Sequence, residues 1–214
     1  MASFLRRPFK YTFKGSCIYI IAINFIIFFL TSIFPKLQVY LGMVPGLVIQ
    51  YHWWWQPVTY MFIHGNFLHI FSNMLGLFFF GMSLEKAIGT KEFILLYMVC
   101  GIFSGLLSLG VYLISGTYSA ILIGASGALY GILFAFSVVF PRANIYFFGL
   151  LPIPSPILII IYAGIELFSQ FFGLKANVAH FTHLFGFLVS YLYFVIRMGV
   201  RPFKIWKDAF SNHQ

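Results

Sequence analysis

The stretch GASGALYG, residues 124–131, sits in a chain otherwise crowded with Phe, Leu and Ile. One serine, Ser126, stands among small residues, and Tyr130 follows it by one helical turn. Two readings compete. Either Ser126 is a chemical centre, or the stretch is a smooth face where two membrane helices touch. Gly124, Gly127 and Gly131 recur at steps of three and four, which marks one face of a helix. Small residues at that spacing let helix backbones approach closely in lipid. The glycines alone do not choose between the readings.

The composition decides the solvent. Of 214 residues, 61% are hydrophobic and 8% are charged. A soluble domain carries about 25% charged residues, so this chain cannot cover a water-facing surface. The net charge of +9 does not point to nucleic acid, because of where it lies. Arg6, Arg7, Lys10 and Lys14 sit at one end and Arg197, Arg201, Lys204 and Lys207 at the other, with long uncharged runs between. Such flanks are the cytoplasmic ends of membrane helices and anchor to anionic lipid. The two cysteines, Cys17 and Cys100, fall in apolar runs and form neither a disulfide framework nor a CxxC metal motif. The N-terminus is basic and then apolar, like a signal peptide. Its apolar run is too long for one and no cleavage site follows, so it reads as a retained first helix.

A spanning helix needs roughly 20 mostly apolar residues. Six segments qualify or nearly do, at about 16–34, 67–83, 93–114, 125–140, 154–172 and 181–198. The expectation is an all-α membrane protein, a bundle of six transmembrane helices. A basic tail (1–15), one membrane domain (16–199) and a second basic tail (200–214) make up the chain. With six spans both termini lie on one side, together with Lys86, Lys91 and Arg142. Eleven of the 13 Lys and Arg then share that side, leaving Lys36 and Lys175 on the other, so both termini are expected in the cytoplasm. The first connection, about 35–66, is extracytoplasmic and carries Trp53, Trp54 and Trp55, which suit the membrane interface. No repeat relates the two halves, against an inverted-repeat transporter.

Polar side chains inside hydrocarbon need a reason. The second span opens HGNFLHIFSNMLG, with His69 and Asn73 on one helix face. The fourth opens with Ser126, and the sixth contains NVAHFTHLFG, with His180, His183 and Gly186. All three spans start on the extracytoplasmic side, so these groups lie at similar depth. A hydrogen bond from Ser126 to His183 needs a close approach of the two spans, which the Gly124, Gly127 and Gly131 face of the fourth and the Gly186 and Ser190 face of the sixth would permit. No His is followed by Glu in an HExxH pattern, which excludes that class of metalloprotease. The only Asp is Asp208, in the tail, so an aspartyl pair and a Ser-His-Asp triad are excluded. Glu85 and Glu92 lie near the cytoplasmic side and Glu166 well into the fifth span. A hydrolase here is expected to use a Ser-His dyad.

The set WQPVTYMFIHGNFLHIFSN, GASG and AHFTHLFG, in this order on spans two, four and six, resembles the rhomboid family of intramembrane serine proteases. The likeness covers about residues 50–195, and LEKAIG after the second span looks like the family's E-x-x-x-G turn. It implies Ser126 as nucleophile and His183 as general base and acid, since Gly186 follows His183 by three. It implies an oxyanion hole from the Ser126 amide with His69 and Asn73. Tyr130 would pack against the histidine, and His64 and Glu85 would be structural. Physical chemistry is consistent with this. A hydrogen-bonded histidine activates serine, and a helix N-terminus stabilises a developing oxyanion. A short fourth span would start below the outer surface and leave Ser126 under a water-filled pocket. The sequence departs from the family at Gln56, Thr182, Phe185 and Ser190, which touch loop anchoring and helix packing.

The activity implied is endoproteolytic cleavage of transmembrane segments of other membrane proteins near the extracytoplasmic leaflet, through an acyl-enzyme. Partners would be membrane-protein substrates and the bilayer, with no nucleic acid and no metal or other cofactor. No oligomeric state is implied. The expected place is a cell membrane of bacterial type, the site opening to the extracytoplasmic side. Lateral entry beside the fifth span would move the loop 173–179 aside. The competing readings are a non-proteolytic relative that binds membrane clients, a haem or metal protein using His64, His69, His180 and His183, and a channel or transporter.

Overall fold

The structure, a computed structural model, describes residue 6 and residues 9–147, 150–172 and 178–211. Among these, the chain forms α1 (Ser16–Ile33), α2 (Lys36–Leu41), α3 (Pro45–Gln50), α4 (Gln56–Thr59), α5 (Phe67–Gly76), α6 (Met82–Ile88) and α7 (Thr90–Ile114). α8 (Ser126–Val139), α9 (Ser155–Phe172), α10 (Val178–Tyr193) and α11 (Pro202–Ser211) follow. A π-helical stretch, Leu77–Gly81, joins α5 and α6 into one rod, and a second, Phe194–Met198, extends α10. Four segments are long and apolar enough to cross a membrane: Ser16–Ile33, Phe67–Ile88, Thr90–Ile114 and His180–Met198. Ser126–Val139 and Ser155–Gln170 are apolar but shorter. Helices therefore stand at all six expected positions. The loop 173–179, expected to move aside, lies outside the described residues over 173–177, as do Arg7 and Lys175 of the charge pattern.

One expectation is corrected. The chain is mostly helical but not wholly so. β1 (Asn144–Phe147) and β2 (Leu151–Pro154) pair antiparallel between α8 and α9. Pro152 and Pro154 give the reason. Proline lacks an N–H and breaks a helix, yet it fits an edge strand, and a two-stranded ribbon is all edge.

Burial is inside-out relative to a soluble bundle. The four buried residues of α1 are Ser16, Cys17, Asn24 and Thr31. Its Ile26, Phe29 and Ile33 face outward, as do Phe79, Ile160 and Phe168 of later helices. Lipid is as apolar as leucine, so these faces cost nothing there, and the polar groups turn inward to find partners.

α8 is the central element. Ten of its 14 residues are buried, against four of 18 in α1. α7 and α10 press against it at its glycines. A methyl at Gly127 would run into Ser104 Oγ of α7, and one at Gly186 into the Gly127 carbonyl oxygen. The second obstacle is backbone and cannot rotate away. The bundle is also pinned by acids. Glu85 accepts from the Ser16 and Cys17 amides (2.7 and 2.9 Å) and from the Thr90 hydroxyl (2.6 Å), so α6 caps the start of α1. Glu92 of α7 pairs twice with Arg197 (3.0 Å each) and accepts from Tyr193.

The first connection is built, not loose. Trp53 and Trp55 stack at 5.3 Å, both against Tyr40, while Trp54 is exposed. Gln56, one of the departures, is fully buried. Its Nε2 donates to the Val39 carbonyl (2.9 Å) and its Oε1 accepts from the Val44 amide (2.9 Å). Thr182, another departure, meets Ser108 of α7 at 2.7 Å.

The Gly127–Gly186 contact yields a prediction. Gly186→Ala should destabilise the bundle by about 1–3 kcal/mol through overpacking. Thermal unfolding of the detergent-purified protein should show a lower Tm. An unchanged Tm would mean that α8 and α10 are not in backbone contact.

Candidate active site

α8 begins at Ser126, with Ala125 as its N-cap. The preceding Gly124 does not share the helix face with Gly127 and Gly131, contrary to expectation. It lies before the helix with φ +120°, a conformation that side chains rarely adopt. A Cβ there would also stand 2.7 Å from the His69 Nε2. Gly124 thus turns the chain so that Ser126 enters the helix beside His69.

Ser126 Oγ lies 2.8 Å from His183 Nε2. The His183 ring stacks on Tyr130 at 4.2 Å between centroids, 12° from parallel. His180 stands apart, its ring centroid 6.5 Å from that of His183. Of the two histidines on α10, it is His183 whose ring nitrogen is hydrogen-bonded to the serine.

The expectation that no acid stands beside this pair is overturned. Glu166 of α9 reaches His183 Nδ1 with Oε1 at 2.8 Å and His180 Nδ1 with Oε2 at 2.6 Å, and it accepts from the Tyr130 hydroxyl. Glu166 is 6% exposed. A carboxylate only accepts, so His183 Nδ1 carries the hydrogen. Nε2 is then left as an acceptor, and the Ser126 hydroxyl donates to it. The arrangement is Ser126, His183 and Glu166 in line, on three helices.

Sequence reasoning missed Glu166, but a signal for it existed. At about 1.5 Å per residue, Glu166 lies about 9 Å from the end of α9 at Phe172. By the same rise His183 lies about 8 Å from the start of α10 at Val178. Only five residues separate these helices in sequence, so the two depths match.

His69 and Asn73 share the α5 face turned to Ser126. The Asn66 side chain caps that helix at the His69 amide (2.8 Å). Asn73 Nδ2 stands 3.0 Å from His64 Nε2, and the two histidine rings meet edge to face at 5.0 Å. His64 is fully buried just before the helix. Burial, with His69 alongside, pushes its imidazole down to about 3, so it stays neutral. A neutral Nε2 can accept one Nδ2 hydrogen, leaving the other free. Glu85, by contrast, does its work capping α1.

The side chains surround a cleft of about 370 Å³. His69, Ser72, Asn73, Ser126 and His183 give it a polar wall, and Phe80, Leu129, Leu133 and Tyr162 an apolar one. Glu166, His180 and His183 bring three ligand atoms within 4.8 Å of one another. A divalent ion there would have to displace the hydrogen bonds that already pair them. The four histidines weighed as haem or metal ligands fall into two pairs, His64 with His69 and His180 with His183.

Comparison with known proteins gives the kinship. The family model described as "Rhomboid domain" matches residues 51–199, more than half of the chain. YdcA of Bacillus subtilis (strain 168), whose name classes it with rhomboid proteases, is 30% identical over 145 residues, 65% of this chain and 67% of YdcA. RHOMBOID-like protein 1 of Arabidopsis thaliana is 34% identical over 151 residues, 69% of this chain and 35% of that protein. Rhomboid protein 1, mitochondrial, of Saccharomyces cerevisiae is 35% identical over 136 residues, 62% of this chain and 38% of that protein. The match thus spans little more than a third of these plant and yeast relatives. The relatives come from bacterial and mitochondrial settings alike.

The Asn73 anchor yields a prediction. His64→Phe keeps a ring but removes the acceptor, leaving a buried amide hydrogen unpaired at a cost of about 1–3 kcal/mol. Thermal unfolding should show a Tm lowered by several degrees. No change would mean that Asn73 is held by something else.

Proposed function

The chain belongs to the rhomboid family, and from that membership we propose an intramembrane serine endopeptidase that cuts transmembrane segments of other membrane proteins. The observation that carries this reading is the 2.8 Å hydrogen bond from Ser126 to His183, at the opening of α8 and facing a cleft lined by His69 and Asn73. We further propose that all six apolar helices cross the bilayer with both termini cytoplasmic, as one membrane domain (16–199) between short basic tails. The asymmetry of Lys and Arg supports that orientation. It opens the cleft to the extracytoplasmic side. α8, with 14 residues, is about 21 Å long at 1.5 Å per residue. That is shorter than a hydrocarbon core of about 30 Å, which favours a serine set below the surface.

In this reading Ser126 Oγ attacks the substrate carbonyl carbon while its proton passes to His183 Nε2. The carbonyl π electrons move onto oxygen. The Ser126 amide, unpaired at the helix N-terminus, and the side chains of His69 and Asn73 donate to that oxyanion. The intermediate collapses, the C–N bond breaks, and Nε2 gives its proton to the leaving amine. Water then gives a proton to Nε2 as its oxygen attacks the acyl carbon. The ester bond to Oγ breaks, and Oγ takes the proton back from Nε2. A substrate helix must unwind to present a peptide bond, so Gly or Pro near the cut site favours cleavage.

The test uses the purified protein in detergent with a fluorophosphonate probe and a model transmembrane substrate. Ser126→Ala should abolish both labelling and cleavage. Asn73→Ala should lower kcat by about 10²–10³, the worth of one oxyanion donor. Labelling and cleavage that persist without Ser126 would overturn the reading. A protein that binds the substrate but neither labels nor cleaves would point to a non-proteolytic client binder.

A further inference from the structure

We propose that Glu166 is a positioning residue of this site: its carboxylate holds His183 in the tautomer that Ser126 requires and stabilises the imidazolium formed as Ser126 attacks. The inference rests on the peptidase reading and deepens it. A pair becomes a Ser126–His183–Glu166 relay, with the acid supplied by α9.

The alternative is a buried carboxylate that only ties helices together. The other buried acids show what that looks like here. Glu85 spends its oxygens on two amides and the Ser16 hydroxyl at the start of α1 and on the Thr90 hydroxyl of α7. Glu92 is matched by a fixed cation, Arg197. Glu166 has neither arrangement. Its donors are a phenol and two imidazoles, and among the described residues its ion-pair partners are His180 and His183, which are charged only when protonated. A carboxylate buried in apolar surroundings is costly without a countercharge. Here the countercharge arises when an imidazole takes a proton, which is what attack by Ser126 does to His183. The site is thus complementary to the protonated state that follows attack, more than to the resting one.

The geometry also fixes direction. Oε2 is held by His180, so the carboxylate plane cannot swing freely, and Oε1 stays on His183 Nδ1. Tyr130 meets the same Oε1 with its hydroxyl while its ring lies flat on His183. One side chain therefore sets both the tilt and the far partner of the imidazole. Tyr162, on α9 itself, backs Tyr130 at 6.2 Å. No proton need leave Nδ1 at any step; it is donated to Glu166 throughout while the mobile proton travels at Nε2.

Two measurements test this. The first is the kinetics of the full chain in detergent, with Ser126→Ala as reference. Glu166→Gln keeps the shape but removes the charge. It should lower kcat by about 10²–10⁴-fold, the usual worth of general acid–base assistance, with KM within about threefold. A kcat within threefold of wild type, alongside an inactive Ser126→Ala, overturns the relay and leaves the peptidase reading intact. Activity that survives Ser126→Ala overturns that reading and the relay with it. The second measurement needs no variant that must fold active. Nitrogen-15 NMR of histidine-labelled wild-type protein, with the His183 signal assigned by its loss in His183→Asn, reads the tautomer. A neutral ring protonated at Nδ1 is expected. A ring protonated at Nε2 overturns the proposal even if Glu166→Gln does not fold.

Discussion

The site depends on a single backbone contact, the approach of α8 to α10 where Gly127 faces Gly186. In lipid there is no hydrophobic force pulling two apolar helices together. Close packing and interhelical hydrogen bonds must do it. Ser126 stands one residue before Gly127, and His183 three before Gly186. The same approach that satisfies the packing brings Oγ and Nε2 to 2.8 Å. A side chain at Gly186 would stand 2.3 Å from the Gly127 carbonyl oxygen and force α10 away from α8. A hydrogen bond near 2.8 Å would not survive that. Under the proposed function, the packing face and the reactive centre in GASGALYG are therefore one feature, since the serine uses the closeness that its neighbours create.

The rest of the bundle keeps that contact in place. Its outer faces are apolar, so each polar group must find its partner inside. Glu85 ties α6 to α1, Glu92 ties α7 to Arg197, and Gln56 stitches the first connection to its own backbone. These are individually modest in water. In an apolar surround the alternative is an unpaired group, which is far worse. The polar network therefore acts by excluding other packings, and α8 is left in the middle with little freedom to shift.

Much of this was legible in the sequence because membrane constraints are strong. Apolar length gave the six helices, and charge asymmetry supplied the proposed orientation. The spacing of small residues marked the faces at Gly127 and Gly186. The steps of three and four misled at Gly124, because regular spacing does not say where a helix begins. There, a positive φ before the helix and the closeness of His69 explain the glycine better than a face does. The paired strands at 144–147 and 151–154 went unread, although Pro152 and Pro154 mark that stretch as unsuited to a helix. Glu166 was seen and set aside, because a carboxylate deep in a span has no sequence neighbour to pair with. Its partners lie on α8 and α10, 36 and 14 or 17 residues away. Periodicity orients a residue on its own helix, not toward another one. Only equal depth across two adjacent helices could have joined them.

The cleft adds a constraint on what enters it. Its polar wall belongs to α5 and to the starts of α8 and α10, and its apolar wall, with Leu129, Leu133 and Phe80, to the turns that follow. A folded helix has no free carbonyl to offer the polar wall, since its backbone groups are paired within it. An extended segment offers both a carbonyl and an alternating side chain, and about 370 Å³ admits a few residues rather than a helix 10–12 Å across. On the peptidase reading, the cleft therefore selects for chain that is already unwound or easily unwound. In a membrane, where unpaired backbone costs several kcal/mol per group, that requirement is itself a strong filter. Under the proposed function, selectivity then arises from how readily a segment unfolds, before any side chain is read.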